Sequence, residues 1–300
     1  MRADFNITVR FYRLSEALQP YFTALYATTV ECNPGTLVTD CLHPEWAALR
    51  FSEGTPPIAC VGVGPMVPQW PFVANGPTSQ SIQFGVTRSR IWGLGLQPAG
   101  WAKFVRQPAS SLRDRTVDGS SHEAFALFAP ILEVLESAAG DGDKMANGIN
   151  EFLMRHADLP VRHEVQILAC QEALRDPDIA NVAELGERLG MSERSLERLC
   201  GRFFGFPPKL LLRRQRFLRS LARYMADPDR TWSHALDGQY YDQAQFVRDF
   251  RSFMGMTPSE YAEAPHPILD KVMAQRMADQ GAAPQTDLPT LLRYTGQNSE

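Results

Sequence analysis

The spacing of hydrophobic and polar residues changes near residue 120. Before that point, β-branched and aromatic residues form short runs with partial alternation, as at Ile82, Phe84 and Val86, and this pattern predicts strands. Turn-forming stretches such as CNPGT, EGTPP and ANGPT separate the runs. Residues 1–120 are therefore predicted to form a β-rich, barrel-like domain, either a small antiparallel barrel or a sandwich.

From residue 121 onward, hydrophobic residues recur at the spacing of a helix. Ser121 is predicted to cap a first helix, which the GDG stretch at 140–142 separates from a second. The inward-facing residues are Phe125, Phe128, Ile131, Leu132 and Leu135 in the first helix and Met145, Ile149, Phe152 and Leu153 in the second. Residues 121–160 are therefore predicted to be a helical linker or dimerisation segment.

Residues 161–205 predict three helices, of which the last two form a compact pair. Asn181 caps the second helix, Gly190 ends it, and Ser192 caps the third. The third helix has Leu196, Leu199 and Phe203 on its inner face and Arg194, Ser195, Glu197, Arg198 and Arg202 on its outer face. Two short helices with arginines on the second are typical of a helix-turn-helix unit, because the arginine fork binds guanine or phosphate.

A second unit of the same kind follows a long helix. The long helix begins at the Pro-Pro pair and ends at Met225, and about 18 residues span about 27 Å. Asp242 then caps another short helix, which Gly255 ends. Its inner face carries Phe246, Phe250 and Phe253, and its outer face carries Gln243, Ala244, Gln245 and Arg248. The two outer faces are predicted to reach successive major-groove segments, which lie roughly 34 Å apart on B-DNA.

Three stretches resemble the AraC/XylS family of transcriptional regulators: VAELGERLGMSERSLERL, FFGFPPKLLLRRQRF and YYDQAQFVRDFRSFMGMTPSEY. The resemblance covers residues 178–264 and implies that both recognition helices contact DNA. By position it assigns base reading to a first recognition surface and to a second one. The first consists of Arg194, Ser195, Glu197 and Arg198, and the second of Gln243, Ala244, Gln245 and Arg248. We expect four phosphate anchors beside them: Arg202, Lys209, Arg213 and Arg251.

The sequence departs from the family pattern at a few positions. Gly186 stands inside the second helix, where alanine is common. Glu197 on the first recognition surface is unsuited to a phosphate, but its carboxylate can accept from cytosine N4. The resemblance places an AraC-type DNA-binding domain at residues 161–265. Residues 266–300 are predicted to be a partly flexible extension, whose tail after about residue 280 frays.

Charge supports the DNA-binding prediction. Residues 188–251 contain thirteen basic and seven acidic residues, a net charge of +6 in a chain whose net charge is −4. A basic segment in an acidic protein is the electrostatic footprint expected of a DNA-binding domain. A solvated helix surface would give a similar excess of arginine, so the charge alone leaves both interpretations open.

The first 120 residues carry weaker functional signals. Family members commonly use an N-terminal β-barrel to sense a small molecule or to dimerise, and the order of elements here fits that plan. Trp92 and Trp101 flank glycines in RIWGLGLQPAGW, and they are candidate walls of an effector pocket. Barrel core is the other interpretation of these two residues. A domain that only dimerises or binds a protein partner is the alternative to sensing.

An enzyme is not expected. Residues 1–120 contain one histidine, His43, and lack a GxSxG motif, so no catalytic site, metal site or cofactor is predicted. The five cysteines show no CxxC spacing, and Cys32, Cys41 and Cys60 are either buried small residues or redox-sensing thiols. The chain is expected to be cytoplasmic, with double-stranded DNA as its main partner and no membrane. A small-molecule effector, a second copy of the chain and RNA polymerase, if the protein activates, are further expected partners.

Overall fold

The computed structural model describes residues 5–138, 140–227 and 229–278. The tail that the sequence predicts to fray after residue 280 lies outside these residues. The N-terminal part is a β-domain built on two antiparallel sheets, and the C-terminal part is helical. This arrangement confirms the predicted α+β fold class. Within the described residues, no helix combines the length and the apolar character needed to cross a membrane.

The larger sheet has six strands in the order β1-β2-β9-β4-β7-β10. Its central strands are long and largely buried, and β9 pairs with both β2 and β4. Strand β10 pairs with β7 and forms one edge of the sheet. The strands are β1 Phe5–Tyr12, β2 Phe22–Cys32, β4 Ala47–Gly54, β7 Phe72–Asn75, β9 Ser89–Leu96 and β10 Thr116–Asp118.

The smaller sheet has four strands in the order β3-β8-β5-β6. Ile82, Phe84 and Val86 of β8 line one cavity together with residues of the larger sheet, so they point to the same side as predicted. The described strands thus form a sandwich of two sheets and do not close into one barrel. The strands are β3 Val38–Leu42, β5 Ile58–Val61, β6 Val67–Pro68 and β8 Ile82–Val86.

A short helix lies between β9 and β10 of the larger sheet. It begins as α1 (Pro98–Gly100) and continues through Trp101–Val105 with wider turns. Gly100 packs so closely on the residue that precedes β2 that an added Cβ would lie 2.0 Å from the carbonyl oxygen of Tyr21. The glycine is therefore required by the close approach of two backbone segments.

The predicted first linker helix is wrong in two details. His122, not Ser121, is the N-cap, and its Nδ1 accepts from the N–H of Ala124 at 3.3 Å. The segment is also broken: tight turns at Glu123–Phe128 are followed by α2 (Ile131–Ser137), because Pro130 has no N–H to continue the ladder. The second linker helix, α3 (Gly142–Met154), buries Met145, Ile149, Phe152 and Leu153 as predicted.

The C-terminal helices follow the predicted order. Helix α7 is 19 residues long and joins two pairs of shorter helices. A last helix, α11, packs against β1 and β3 of the β-domain. The helices are α4 Glu164–Arg175, α5 Val182–Leu189, α6 Glu193–Leu199, α7 Pro208–Ala226, α8 Trp232–Ala235, α9 Gln243–Met254, α10 Pro258–Glu263 and α11 Pro267–Ala278.

Buried polar contacts join the β-domain to the helical domain. Arg214 of α7 donates to the carbonyl oxygens of Glu45 (3.2 Å) and Thr78 (2.9 Å) and lies 3.7 Å above the ring of Trp46. His43 at the end of β3 is hydrogen-bonded through Nε2 to the Tyr261 hydroxyl at 2.8 Å. Burial lowers the pKa of His43 to about 3, so this imidazole is neutral.

Candidate DNA-binding surface and cavity

The first candidate recognition helix is positioned by its caps. Asn181 Oδ1 accepts from the Glu184 N–H at 3.0 Å at the start of α5, and Gly190 ends α5 with φ +61°. Ser192 Oγ then accepts from the Ser195 N–H at 3.4 Å at the start of α6. Gly186 faces this turn, where an added Cβ would lie 3.0 Å from the carbonyl oxygen of Met191. These contacts set the angle between α5 and α6.

The first recognition surface is accessible. Leu196, Leu199 and Phe203 are buried as predicted, and α6 continues through Cys200–Phe204 with wider turns. On the opposite side Arg194, Glu197 and Arg198 are exposed and Ser195 is half-buried. The helix therefore presents a polar face that a DNA groove can approach.

The second candidate recognition helix, α9, is built in the same way. Asp242 Oδ1 accepts from the Gln245 N–H at 2.6 Å, and Gly255 ends the helix with φ +73°. Phe246, Phe250 and Phe253 are buried. On the outer face Gln243, Ala244 and Arg248 are exposed and Gln245 is half-buried. The pattern of α6 is thus repeated at the other end of α7.

The C-terminal end of α9 is attached to the β-domain. Ser81 donates its N–H to the Phe253 carbonyl oxygen at 2.7 Å and its hydroxyl to the Met254 carbonyl oxygen at 3.1 Å. These carbonyls are among the last of the helix, which lack partners inside it. A shift of the start of β8 would therefore be transmitted to the second recognition helix.

The four phosphate anchors differ in their surroundings. Arg202, Lys209 and Arg251 are exposed, and none of them forms an ion pair with any other described residue. Arg213 is partly exposed, and its guanidinium donates to Asp249 Oδ1 at 2.6 Å. Three of the four cations can therefore contact a phosphate without breaking an ion pair, whereas Arg213 is already paired with Asp249.

Other arginines in the basic segment support the fold. Arg216 contacts Asp249 at 3.2 Å, and Arg219 and Arg223 contact Asp237 at 2.6 and 4.0 Å. Burial would raise the pKa of the Asp237 carboxyl group, but the hydrogen bonds and charge of Arg219, together with the Gln239 N–H and the charge of Arg223, lower it overall. Part of the positive charge counted in the sequence is thus neutralised inside the helical domain.

Trp92 and Trp101 both lie in the hydrophobic core of the β-domain. The indole of Trp92 donates to Glu53 Oε1 at 2.8 Å, and that of Trp101 donates to the carbonyl oxygen of Gln107 at 2.7 Å. Neither residue lines the two cavities described next. The effector-pocket role of the two tryptophans stays a prediction.

Two cavities lie at places that the sequence pattern does not indicate. The inner cavity, of about 80 Å³, lies between the two sheets and is mostly apolar. The outer cavity, of about 160 Å³, lies between the β-domain and helices α7 and α11. Four residues line both cavities, namely Tyr26, Leu42, Arg50 and Val272. The two spaces are therefore separated by side chains and not by a sheet.

Asn75 is the unusual polar residue of the inner cavity. Its side chain is buried, and its Oδ1 and Nδ2 lack hydrogen-bond partners among the described residues. Arg50 lies between the cavities and donates to both carboxylate oxygens of Glu45, at 2.7 and 2.8 Å. An unpaired buried amide costs about 1–3 kcal/mol, so Asn75 is a candidate ligand contact.

Two helix-turn-helix units joined by a long helix, each with an accessible polar recognition helix, define a DNA-binding domain. Residues 185–264 match a family model described as a helix-turn-helix domain. This part of the chain is an AraC-type helix-turn-helix domain, as the sequence resemblance predicts. Domains of this type belong to transcription regulators, which are in general not enzymes.

Comparisons of the whole chain are less informative. A sequence comparison with curated proteins gives no match. Among solved structures, ToxT from Vibrio cholerae O395 is 11% identical, with a TM-score of 0.41 over 86% of this chain and 96% of that one. Unsaturated fatty acid bound ToxT from Vibrio cholerae strain SCE256 is 12% identical, with a TM-score of 0.40 over 87% and 96%. The AraC-like transcriptional activator CuxR is 12% identical, with a TM-score of 0.27 over 72% and 87%. Similarities this low carry no argument about a ligand.

Proposed function

We propose that this protein is a sequence-specific, DNA-binding transcriptional regulator controlled by a small molecule that binds in the β-domain. The observation that carries the first part is the pair of capped recognition helices within an AraC-type domain. Base reading belongs to the first and second recognition surfaces. Arg202, Lys209 and Arg251 bind phosphates, and Arg213 joins them only if DNA draws it away from Asp249. A cytoplasmic location follows from DNA as the partner.

Selection of genomic fragments by the purified full chain, at two salt concentrations, tests the proposal. Two half-sites about one helical turn apart are expected, because each recognition helix reads one major-groove segment. Binding should weaken with salt, because bound phosphates release counterions. Binding that weakens with salt but selects no motif would contradict sequence-specific recognition.

Replacing Arg198 with alanine is expected to weaken binding to the selected site by about 1–3 kcal/mol and to relax discrimination at one base pair. Arg198 is exposed in the last turn of α6, where its fork can reach a base edge. Competition binding against single-base variants of the site measures both effects. Arg113→Ala, an exposed arginine of the β-domain, serves as the control and should leave affinity unchanged. An equal loss on every sequence would make Arg198 a phosphate contact.

The control by a small molecule rests on the inner cavity. Asn75 offers an unpaired donor and acceptor to a ligand, and apolar walls surround it. Ligand sites usually measure about 300–1,000 Å³, and neither cavity reaches that size alone. An effector larger than a few atoms would therefore join the inner and outer cavities by displacing shared side chains such as Arg50. That displacement would act directly on the contacts with α7.

Replacing Asn75 with leucine is expected to stabilise the ligand-free protein by about 1–2 kcal/mol while removing its response to the effector. The change replaces an unpaired buried amide with an apolar group of similar size. Thermal unfolding, with and without compounds from a small-molecule library, measures both effects.

Asn150→Leu is the matched control for this substitution. Asn150 accepts from the Ser15 N–H at 2.8 Å and donates to its hydroxyl at 2.9 Å, so the same change should destabilise the protein there. Destabilisation by Asn75→Leu as well would show that the Asn75 amide is satisfied and would remove the argument for a ligand.

The small volume of the inner cavity favours one alternative, which is that the β-domain binds no effector and only dimerises or contacts a protein partner. Sedimentation of the full chain with and without its DNA site separates the two cases. A stable dimer whose DNA affinity no library compound changes would favour the alternative.

A further inference from the structure

Three side chains with metal-ligating atoms meet at the junction of the β-domain and α11. Asp40 and Cys41 lie in β3, and His266 lies immediately before α11. All three residues are buried, and one donor atom from each lies within 4.8 Å of the others. We refer to them as the Asp40 cluster. It lies outside both recognition surfaces and outside the lining of both cavities.

The imidazole of His266 is held in one orientation. Its Nε2 lies 2.8 Å from the carbonyl oxygen of Tyr261, which can only accept, so Nε2 carries a proton. The other ring nitrogen, Nδ1, then faces Asp40 Oδ1 at 3.3 Å and Cys41 Sγ at 4.0 Å. Metal-binding histidines commonly donate their second N–H to a backbone carbonyl in this way.

The carboxylate of Asp40 is held as firmly. Its Oδ2 accepts from the N–H groups of Ile268 and Leu269, each at 2.8 Å, at the start of α11. Its Oδ1 accepts from the Cys41 N–H at 2.7 Å and faces the imidazole. Oδ2 is thus occupied by the two N–H groups that position the carboxylate, whereas Oδ1 is directed at the other two side chains of the cluster.

A cation placed between Asp40 Oδ1, Cys41 Sγ and His266 Nδ1 would accept a lone pair from each of these three atoms. Without a metal, Nδ1 can face this carboxylate oxygen only by carrying a proton, as an ion pair with Asp40. In a tetrahedral zinc site with bonds of about 2.0–2.3 Å, neighbouring ligand atoms lie about 3.3–3.7 Å apart. The Nδ1–Oδ1 distance of 3.3 Å meets this range, and the Nδ1–Sγ distance of 4.0 Å needs a shift of a few tenths of an ångström.

We propose that Asp40, Cys41 and His266 form a binding site for a divalent transition metal of the zinc class. Thiolate, imidazole and carboxylate are the donors that zinc accepts, and the thiolate disfavours magnesium and calcium. The bound metal links β3 to the segment that follows the second helix-turn-helix unit. It therefore ties the β-domain to the DNA-binding domain at a point separate from Arg214.

A proton is the competing occupant of the site. Burial disfavours a charged imidazole, but hydrogen bonds with Asp40 and Cys41 outweigh it and raise the pKa of His266 to about 10. The proton on Nδ1 would then form an ion pair with Asp40. Metal binding replaces this proton and removes that of the Cys41 thiol.

Titration of the chelator-treated full chain with Co²⁺ distinguishes the two occupants. One equivalent of Co²⁺ should produce a thiolate-to-metal charge-transfer absorption, and Zn²⁺ should displace it. Cys41→Ser should abolish the absorption and weaken Zn²⁺ binding at least about 100-fold, because a direct ligand is lost. Cys60→Ser, which changes a half-buried cysteine outside the cluster, is the matched control and should retain both signals.

The melting temperature, measured with and without Zn²⁺, distinguishes loss of the metal site from misfolding of a variant. Zn²⁺ should raise the melting temperature of the wild type and of Cys60→Ser but not of Cys41→Ser or His266→Gln. Circular dichroism checks that each variant is folded. Absence of the absorption in the wild type, or its persistence in Cys41→Ser, would overturn the proposal and leave the cluster as an ion pair. DNA binding by the same samples is measured separately, so failure of the metal site does not count against the proposed function.

Discussion

Replacing Asp249 with alanine is expected to lower the free energy of unfolding by about 3–5 kcal/mol. Asp249 lies on α9, and its carboxylate contacts the guanidinium groups of Arg213 at 2.6 Å and Arg216 at 3.2 Å. The hydroxyl of Tyr240 donates to the same carboxylate at 3.3 Å. The substitution leaves these donors near a buried position without their shared acceptor. It should therefore loosen the packing of the second recognition helix on α7.

The large loss of stability expected for Asp249→Ala comes from the burial of the carboxylate, and not from a short distance between the charges. Asp143 contacts Arg10 at 2.7 Å, nearly the distance between Asp249 and Arg213. The side chains of that pair are 65% and 57% exposed, whereas that of Asp249 is 4% exposed. Exposed pairs contribute about 0–1 kcal/mol because water solvates the separated charges almost equally well.

Urea unfolding followed by circular dichroism measures the Asp249→Ala effect, with Asp143→Ala as the matched control. The midpoint should fall strongly for Asp249→Ala and stay within error for Asp143→Ala. Equal, small changes in the two variants would show that the arginines find other partners or water. The internal role of Arg213 and Arg216 would then be wrong, and both would become candidates for phosphate binding.

The sequence predicted the recognition helices well because their limits depend on local interactions. Ser192 and Asp242 each bond to an N–H group three residues later, and Gly190 and Gly255 adopt positive φ values at the helix ends. Such contacts need no distant partner, so residue identity and spacing suffice. The break at Pro130 was also visible in the sequence. It was missed because the hydrophobic period continues across it.

Contacts between distant residues were not predictable from the pattern. Asp40 and His266 are 226 positions apart, and β3 carries no repeat or motif that points to α11. Ser81 reads as an ordinary turn residue, yet it binds the end of α9. Asn75 reads as a strand-end asparagine, and only the surrounding cavity shows that its amide is unpaired. These roles depend on tertiary packing, which one sequence does not encode by spacing.

The arginines of α7 show the same limit. Arg213, Arg214 and Arg216 stand close together and look alike in the sequence. In the structure Arg213 and Arg216 bind Asp249, while Arg214 is buried against the β-domain. Charge counting therefore overstates the surface that DNA can use, because the partner of each arginine depends on which element faces it.

Replacing Arg214 with leucine is expected to uncouple the β-domain from the DNA-binding domain, at a cost of about 2–4 kcal/mol. Hydrogen bonds from a charged donor contribute about 1.5–3 kcal/mol, and a desolvated cation over an indole contributes about 2 kcal/mol. Leucine keeps the apolar volume but leaves the carbonyl oxygens of Glu45 and Thr78 without this donor. Hydrogen exchange should therefore increase around residues 43–48 and 76–81.

Arg223→Leu is the matched control because Arg223 lies on the same helix and donates to the Leu236 carbonyl oxygen within the helical domain. It should lower stability without raising exchange in the β-domain. Under the proposed function, Arg214→Leu should also make DNA affinity insensitive to the effector, because Ser81 and Arg214 hold the same β-domain segment. Unchanged exchange in Arg214→Leu would show that Ser81, His43 and the Asp40 cluster suffice to hold the domains together. The effector signal would then have to reach α9 through Ser81.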